Sequence, residues 1–224
     1  MKTKYSRIHF ESVESTNDFV KSQLDTLSDH TLITTDFQSK GRGQRERTWA
    51  SDPGLNFLGS FYKRSSLKRH HTPMIQGVLT IVFLLDSIGV EAEIKPPNDV
   101  YVEGRKIAGI LSEVIHNKEK HVIIGIGFNV NEKKVMPAIA LSNITGHDYD
   151  LESVTNDIMR TMEYVETLDF PTLFNRYVSH IPFGKIVAFN DSDFLGPLES
   201  IDQAFQCSAG EDKFPCEALR FQYK

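Results

Sequence analysis

Gln38-Ser39-Lys40-Gly41-Arg42-Gly43-Gln44-Arg45-Glu46-Arg47-Thr48-Trp49 follows the apolar, β-branched run Thr31-Leu32-Ile33-Thr34-Thr35. A strand over residues 31–38 therefore feeds a loop with two glycines, four cations and the only tryptophan of the chain. Gly41 and Gly43 let the backbone take positive φ and approach a ligand closely. Arg42, Arg45 and Arg47 supply rigid, always-charged forks that match phosphate and carboxylate oxygens. Trp49 adds a flat apolar face on which a base can stack. The loop reads as a wrap around a small anion that carries a ring. A solvated basic turn has the same composition, so the rest of the chain must decide.

Upstream, Ile8-His9-Phe10 reads as a short strand. Glu14-Ser15-Thr16-Asn17-Asp18 then opens a helix with Phe19, Val20, Leu24 and Leu27 at helical spacing. Ser15 or Thr16 suits the N-cap, and such a helix start is also a ready anion site. Downstream, Leu55 to Tyr62 alternates as a strand, and Lys63 to His71 is a basic connector. Thr72-Pro73 predicts a cap and a proline at the first position of a buried helix over about 73–88. A short strand at Glu91–Ile94 leads into Lys95-Pro96-Pro97-Asn98-Asp99, and a hairpin turns at Glu103-Gly104. Its second strand runs from Lys106 to Val114, followed by a strand over Val122–Val130. Gly125 and Gly127 lie two apart on that strand and hollow out one face, which suits a ligand or a packed backbone. Asp150 caps a helix with Val154, Ile158, Met162 and Val165 on one stripe, and Pro171 starts another. Beyond Pro182, short strands at close spacing predict a small barrel over 182–224, packed on a main domain over 1–181.

The 224 residues, 40% apolar and 25% charged, are those of a soluble globular protein. A formal net charge of −5 excludes a general affinity for nucleic acid and makes the basic loop a local feature. Cys207 and Cys216 form no disulfide framework and lack metal-ligand partners at useful spacing. No apolar segment follows Met1-Lys2-Thr3-Lys4, and Val78–Leu85 is too short to cross a bilayer. A cytoplasmic location is expected.

Five stretches in register resemble the biotin–protein ligases: Glu14–Asn17, Gly41–Trp49, Lys95–Val100, Gly104–Leu111 and Gly125–Asn131. The resemblance implies an α+β fold, the mixed sheet of the biotin ligases and class II aminoacyl-tRNA synthetases. That sheet has helices on one face and is joined to a small C-terminal SH3-like barrel. It implies ATP, Mg2+ and biotin as substrates and cofactor, with biotin activated as biotinyl-5′-AMP. A lysine of a biotin carboxyl carrier protein domain then accepts the acyl group. Because the motifs begin at residue 8, the resemblance is to the monofunctional type that binds no DNA; a homodimer is expected, and no membrane partner. Arg42 and Lys106 are implied as catalytic cations. Ser15, Thr16, Asn17, Gln38, Gly41, Arg42, Lys106, Gly109, Gly125 and Gly127 are implied on biotin. Arg42, Arg45, Arg47, Trp49, Asn98, Lys106 and Asn129 are implied on the nucleotide, with Trp49 stacked on adenine. Asp99 is a candidate magnesium contact, although Asn-Asp after Pro-Pro is also good turn chemistry.

The chain departs from the usual loop by carrying Gln44 for an arginine and Glu46 for a glycine, and Pro96 stands where a tryptophan is usual. A lipoate–protein ligase or octanoyltransferase on the same fold is the nearest alternative; octanoyl transfer calls for a catalytic cysteine, and both cysteines lie outside every motif. A non-catalytic biotin-binding protein would not need both Arg42 and Lys106.

Overall fold

The computed structural model describes residues 3–44, 47–65, 69–133, 137–189, 195–210, 212–216 and 219–221. Seven strands form one sheet: β1 (Ser6–Val13), β2 (Thr31–Gln38), β3 (Phe57–Arg64), β4 (Glu93–Lys95), β5 (Asp99–Val102), β6 (Arg105–His116) and β7 (Lys120–Phe128). Their order is β1-β2-β3-β7-β6-β5-β4; β1 and β2 pair in parallel and every other pair is antiparallel. Strand alternation sorts the side chains. Phe57 and Phe61 of β3 and Val122, Ile124, Ile126 and Phe128 of β7 join the main core. Leu58, Ser60, Ile123, Gly125 and Gly127 belong to the opposite face.

The main core is closed by α2 (Thr72–Ser87), α4 (Leu151–Val165) and α5 (Phe170–Ser179). Gly77 lets α2 lie close to the sheet: a Cβ there would stand 2.7 Å from Ile124 Cγ2 and 2.9 Å from Ile110 Cγ2. The stripe Val154, Ile158, Met162 and Val165 is buried, and Asp150 caps α4 by accepting from Ser153 N. Among the described residues the one helix on the other face is the short α1 (Thr16–Ser22), where Val20 packs with Ile33, Tyr62 and Ile123. That leaves the rest of this face open beside α1.

Several boundaries differ from the sequence expectation. Strand β3 runs through Lys63 and Arg64, because Lys63 is buried and donates to Gln76 Oε1 at 3.0 Å and Glu166 Oε1 at 2.5 Å. Thr72 is the first residue of α2, and His71 takes the cap position without a side-chain capping hydrogen bond. The short helix α3 (Leu141–Thr145) was not anticipated; one buried turn is too short to show a period. After α5, strands β8 (Ile186–Phe189), β9 (Leu195–Pro197) and β13 (Leu219–Phe221) form one small sheet. Strands β10 (Ser200–Ile201), β11 (Gln206–Ala209) and β12 (Asp212–Pro215) form another. Leu198, Ile201, Phe205 and Cys207 join the main core, and Phe205 stacks on His71 with ring centroids 4.5 Å apart. Both cysteines are buried and neither is in a disulfide. Among the described residues no helix is long and apolar enough to cross a membrane.

One polar cluster lies within the core. Glu166 accepts from Lys63, from Lys4 Nζ at 2.8 Å and from Tyr5 Oη at 2.6 Å. Burial opposes its charge, but Lys63 and these donors outweigh burial and hold its carboxyl below the usual range. Burial, with the neighbouring Lys4 charge adding to it, keeps Lys63 below the ordinary lysine range against the pull of Glu166 and Asp29. A depressed carboxyl adds stability above its unfolded value near about 4.3, and that stability disappears as pH falls through the folded value. Glu166→Gln is expected to cost about 3 kcal/mol at pH 7, because it leaves Lys63 buried without its partner. It should also flatten the fall in Tm on the acid side of about pH 5, checked by thermal melts from pH 3 to 8.

Candidate active site

The open face beside α1 carries a cleft whose floor is set by strand register. Gly127 lies between Leu58 of β3 and Gly109 of β6, and Gly125 lies between Ser60 and Leu111. Three glycines on two adjacent strands form a hollow without side chains. Its occupants in this structure are the chain's own. A Cβ on Gly125 would stand 2.2 Å from Asn17 Oδ1, and one on Gly127 would stand 2.4 Å from Trp49 Cε2. A Cβ on Gly109 would meet Lys106 Nζ at 2.9 Å and Trp49 Cζ3 at 3.0 Å. The hollow expected to take a flat bicyclic ring is thus lined by the Asn17 carboxamide and the Trp49 indole. About 140 Å³ of free space remains in the cleft, below the roughly 300–1,000 Å³ usual for small-molecule sites.

The deep end is polar and buried. Ser60 Oγ, fully buried, donates to Asn17 Oδ1 at 2.6 Å and lies 2.7 Å from Thr16 Oγ1. Thr16 N donates to Gln38 Oε1 at 2.8 Å, and Thr16 Oγ1 lies 3.2 Å from the same oxygen. Asn17 Nδ2 donates to Leu111 O at 3.1 Å and Glu113 Oε2 at 2.8 Å. Ser15 is the N-cap of α1, its side chain accepting from Asp18 N at 3.4 Å. Ser60, absent from the sequence expectation, is the centre of this floor; a lone serine in an alternating strand gives no spacing signal.

Cations stand at the mouth. The loop after β2 is a narrow hairpin: Trp49 N donates to Gly41 O at 2.9 Å, Gly43 N to Arg47 O at 2.6 Å, and Arg42 bridges Thr48. A Cβ on Gly41 would lie 2.3 Å from Trp49 O, so this glycine serves the hairpin itself. Arg42 Nη2 pairs with Asp18 Oδ1 at 2.8 Å and Glu113 Oε2 at 3.1 Å. Lys106 Nζ lies 2.6 Å from Asp99 Oδ1 and 5.4 Å from the Trp49 ring. Asp99 Oδ1 is buried and has no aligned hydrogen-bond donor among the described residues, so its contact with Lys106 is a charge contact. Trp49 Nε1 is also buried without a hydrogen-bond partner among them. Arg47 and Asn98 line the cleft; Asn98 Nδ2 is engaged by Ile110 O at 2.9 Å. Burial and the Asp99 charge push the Tyr101 hydroxyl up to about 12, with Arg47 pulling the other way.

One expected contact falls elsewhere, and another cannot be placed. Asn129 is buried with Nδ2 donating to Ile139 O at 3.1 Å and is not among the residues lining the cleft, because it fastens β7 to the start of α3. Arg45 lies outside the described residues. Among the described residues no group of three or more His, Cys, Asp or Glu is placed to hold a metal, and Asp99 faces a lysine. The protein groups here therefore do not fit a resident magnesium site.

Residues 9–129 match the family model described as the biotin/lipoate A/B protein ligase family. The bifunctional ligase/repressor BirA of Bacillus subtilis is 32% identical over 145 residues, covering 59% of this chain and 45% of that protein. The chain thus spans under half the length of that relative. The biotin–[acetyl-CoA-carboxylase] ligase of Paracoccus denitrificans is 27% identical over 186 residues, 74% of this chain and 77% of that one. Among solved structures, the biotin protein ligase from Aquifex aeolicus in complex with biotin and ATP superposes with a TM-score of 0.79 at 24% identity. That match covers 98% of this chain and 95% of the other and establishes the likeness of fold.

Proposed function

The chain belongs to the biotin/lipoate A/B protein ligase family, and from that membership we propose that it is an ATP-dependent biotin ligase. It joins biotin to AMP and passes the biotinyl group to a lysine of a biotin carboxyl carrier protein domain. The observation that carries this choice is the polar floor of buried Thr16, Asn17 and Ser60 with half-buried Gln38. Biotin's ureido ring has N–H donors and a carbonyl acceptor to exchange with such a floor. A dithiolane or an octanoyl tail has neither and gains no hydrogen bond from that floor, so the floor favours the ureido ring over them.

In the first step the biotin carboxylate attacks the α-phosphate of ATP and pyrophosphate leaves. Two anions must meet, so the chain's task is to neutralise and orient them. Arg42 and Lys106 both line the cleft and suit the carboxylate and α-phosphate oxygens. In the second step the ε-amine of the acceptor lysine attacks the acyl carbon and AMP leaves; no protein nucleophile is required. Magnesium belongs to this reading as a companion of the nucleotide phosphates, where it supplies charge neutralisation. The homodimer and the cytoplasmic location stay part of the proposal.

Pyrophosphate release from ATP, with biotin, lipoate or octanoate offered separately, tests the reading. Release with biotin alone is expected; release only with lipoate or octanoate would overturn it.

A further inference from the structure

Glu113 had no role in the sequence expectation, yet it joins the two halves of the site. Strand β6 carries Gly109, Leu111 and Glu113 in a row on the cleft face, so Glu113 ends the row at the mouth. Its Oε2 accepts from Asn17 Nδ2 at 2.8 Å and Arg42 Nη2 at 3.1 Å. Its Oε1 takes Lys21 Nζ at 2.5 Å. Asp18 completes the arrangement, with Oδ1 at 2.8 Å from Arg42 Nη2 and 3.3 Å from Lys21 Nζ. Two carboxylates and two cations thus alternate around the mouth. Through Asn17 Oδ1, which accepts from Ser60, the same carboxylate is tied to the polar floor.

We propose that Glu113 is a positioning residue that holds the Arg42 guanidinium at the cleft mouth and fixes the Asn17 carboxamide in its floor. Among the described residues every side-chain contact of Arg42 runs through Nη2. This leaves the Nε and Nη1 donors to meet an incoming anion with the side chain already ordered. The pairs are partly exposed, so they contribute orientation more than stability. Lys21 balances the second carboxylate charge, which lets Glu113 hold Arg42 without drawing it wholly out of the cleft.

Two measurements test this on the full chain. The first needs no ligand. Trypsin cleavage after Arg42, followed by mass spectrometry, is expected to run about fivefold faster in Glu113→Gln, because the held loop opens more often. Tm should stay within about 2 °C. Equal cleavage rates overturn the proposal. The second rests on the biotin-ligase reading: Glu113→Gln keeps a carbonyl for Asn17, so the KM for biotin should change less than twofold while kcat of pyrophosphate release falls about tenfold. Glu113→Ala removes both contacts and should raise that KM as well. An unchanged or raised kcat in Glu113→Gln overturns the proposal. If the unsubstituted protein releases no pyrophosphate with biotin, the ligase reading falls and the trypsin result alone decides the role of Glu113.

Discussion

Lys106→Met is expected to lower biotin-dependent pyrophosphate release by about 10³-fold, the scale for removing a charged stabiliser aimed at developing charge. Methionine keeps the unbranched stem of the side chain and removes the ammonium. The position supports a charge-specific role: Nζ stands in the cleft 2.6 Å from Asp99 and 5.4 Å from the Trp49 ring. The substitution has a structural cost that must be separated from the chemical one. Asp99 is only 13% exposed in its side chain, and losing its cation should destabilise the chain by about 1–2 kcal/mol. Asp99→Asn in the same chain removes the stranded charge. The double variant should therefore regain its melting temperature and remain inactive. Recovery of turnover along with stability would show that Lys106 serves the fold and leave the adenylation step to other groups.

The contrast between what was legible in the sequence and what was not follows the range of the interactions. Period-2 alternation was enough to put Gly125 and Gly127 on one face, and pairing of β6 with β7 added Gly109 beside them. The capping residues Ser15, Asp150 and the proline near the start of α5 act within one helical turn, so local chemistry reveals them. What occupies the glycine hollow depends on contacts far apart in the chain. Asn17 reaches it from α1, and Trp49 from a hairpin. Neither placement has a signature in the flanking residues. Glu113 and Ser60 were missed for the same reason: a charged residue on a strand and a serine in an alternating run both look like ordinary surface until the register is known. Lys63 misled in the opposite direction, since its charge suggested a loop while its partner Glu166 lies on a distant helix end. Asn129 spends its amide on Ile139 O, a contact ten residues away that its own strand does not announce.

Gly127→Val is expected to leave the fold intact and abolish most of the activity. The backbone at Gly127 is an ordinary strand paired on both sides, and valine suits a strand. Glycine is needed there for what lies above it. The new Cβ would fall 2.4, 2.7 and 2.8 Å from Cε2, Cζ2 and Cδ2 of Trp49. A rigid fused ring cannot yield by the bending of a flexible tip. Its backbone cannot retreat either, because Trp49 N is bonded to Gly41 O and Trp49 O lies against Gly41. The indole must rotate out of the hollow into the cleft, or strain the hairpin that holds Arg42. A misplacement of about 1 Å at a reacting group costs on the order of 10²-fold in rate, so pyrophosphate release should fall by at least about that factor. Trp49 is the only tryptophan of the chain, which makes its emission a direct reporter. Expulsion shifts that emission to longer wavelength, while Tm changes by no more than a few degrees. Gly127→Ala, with the same Cβ and no branch, should show the same displacement to a smaller degree. An unshifted emission spectrum together with near-normal turnover in Gly127→Val would mean that the indole does not rest on this strand, and that the hollow serves packing alone.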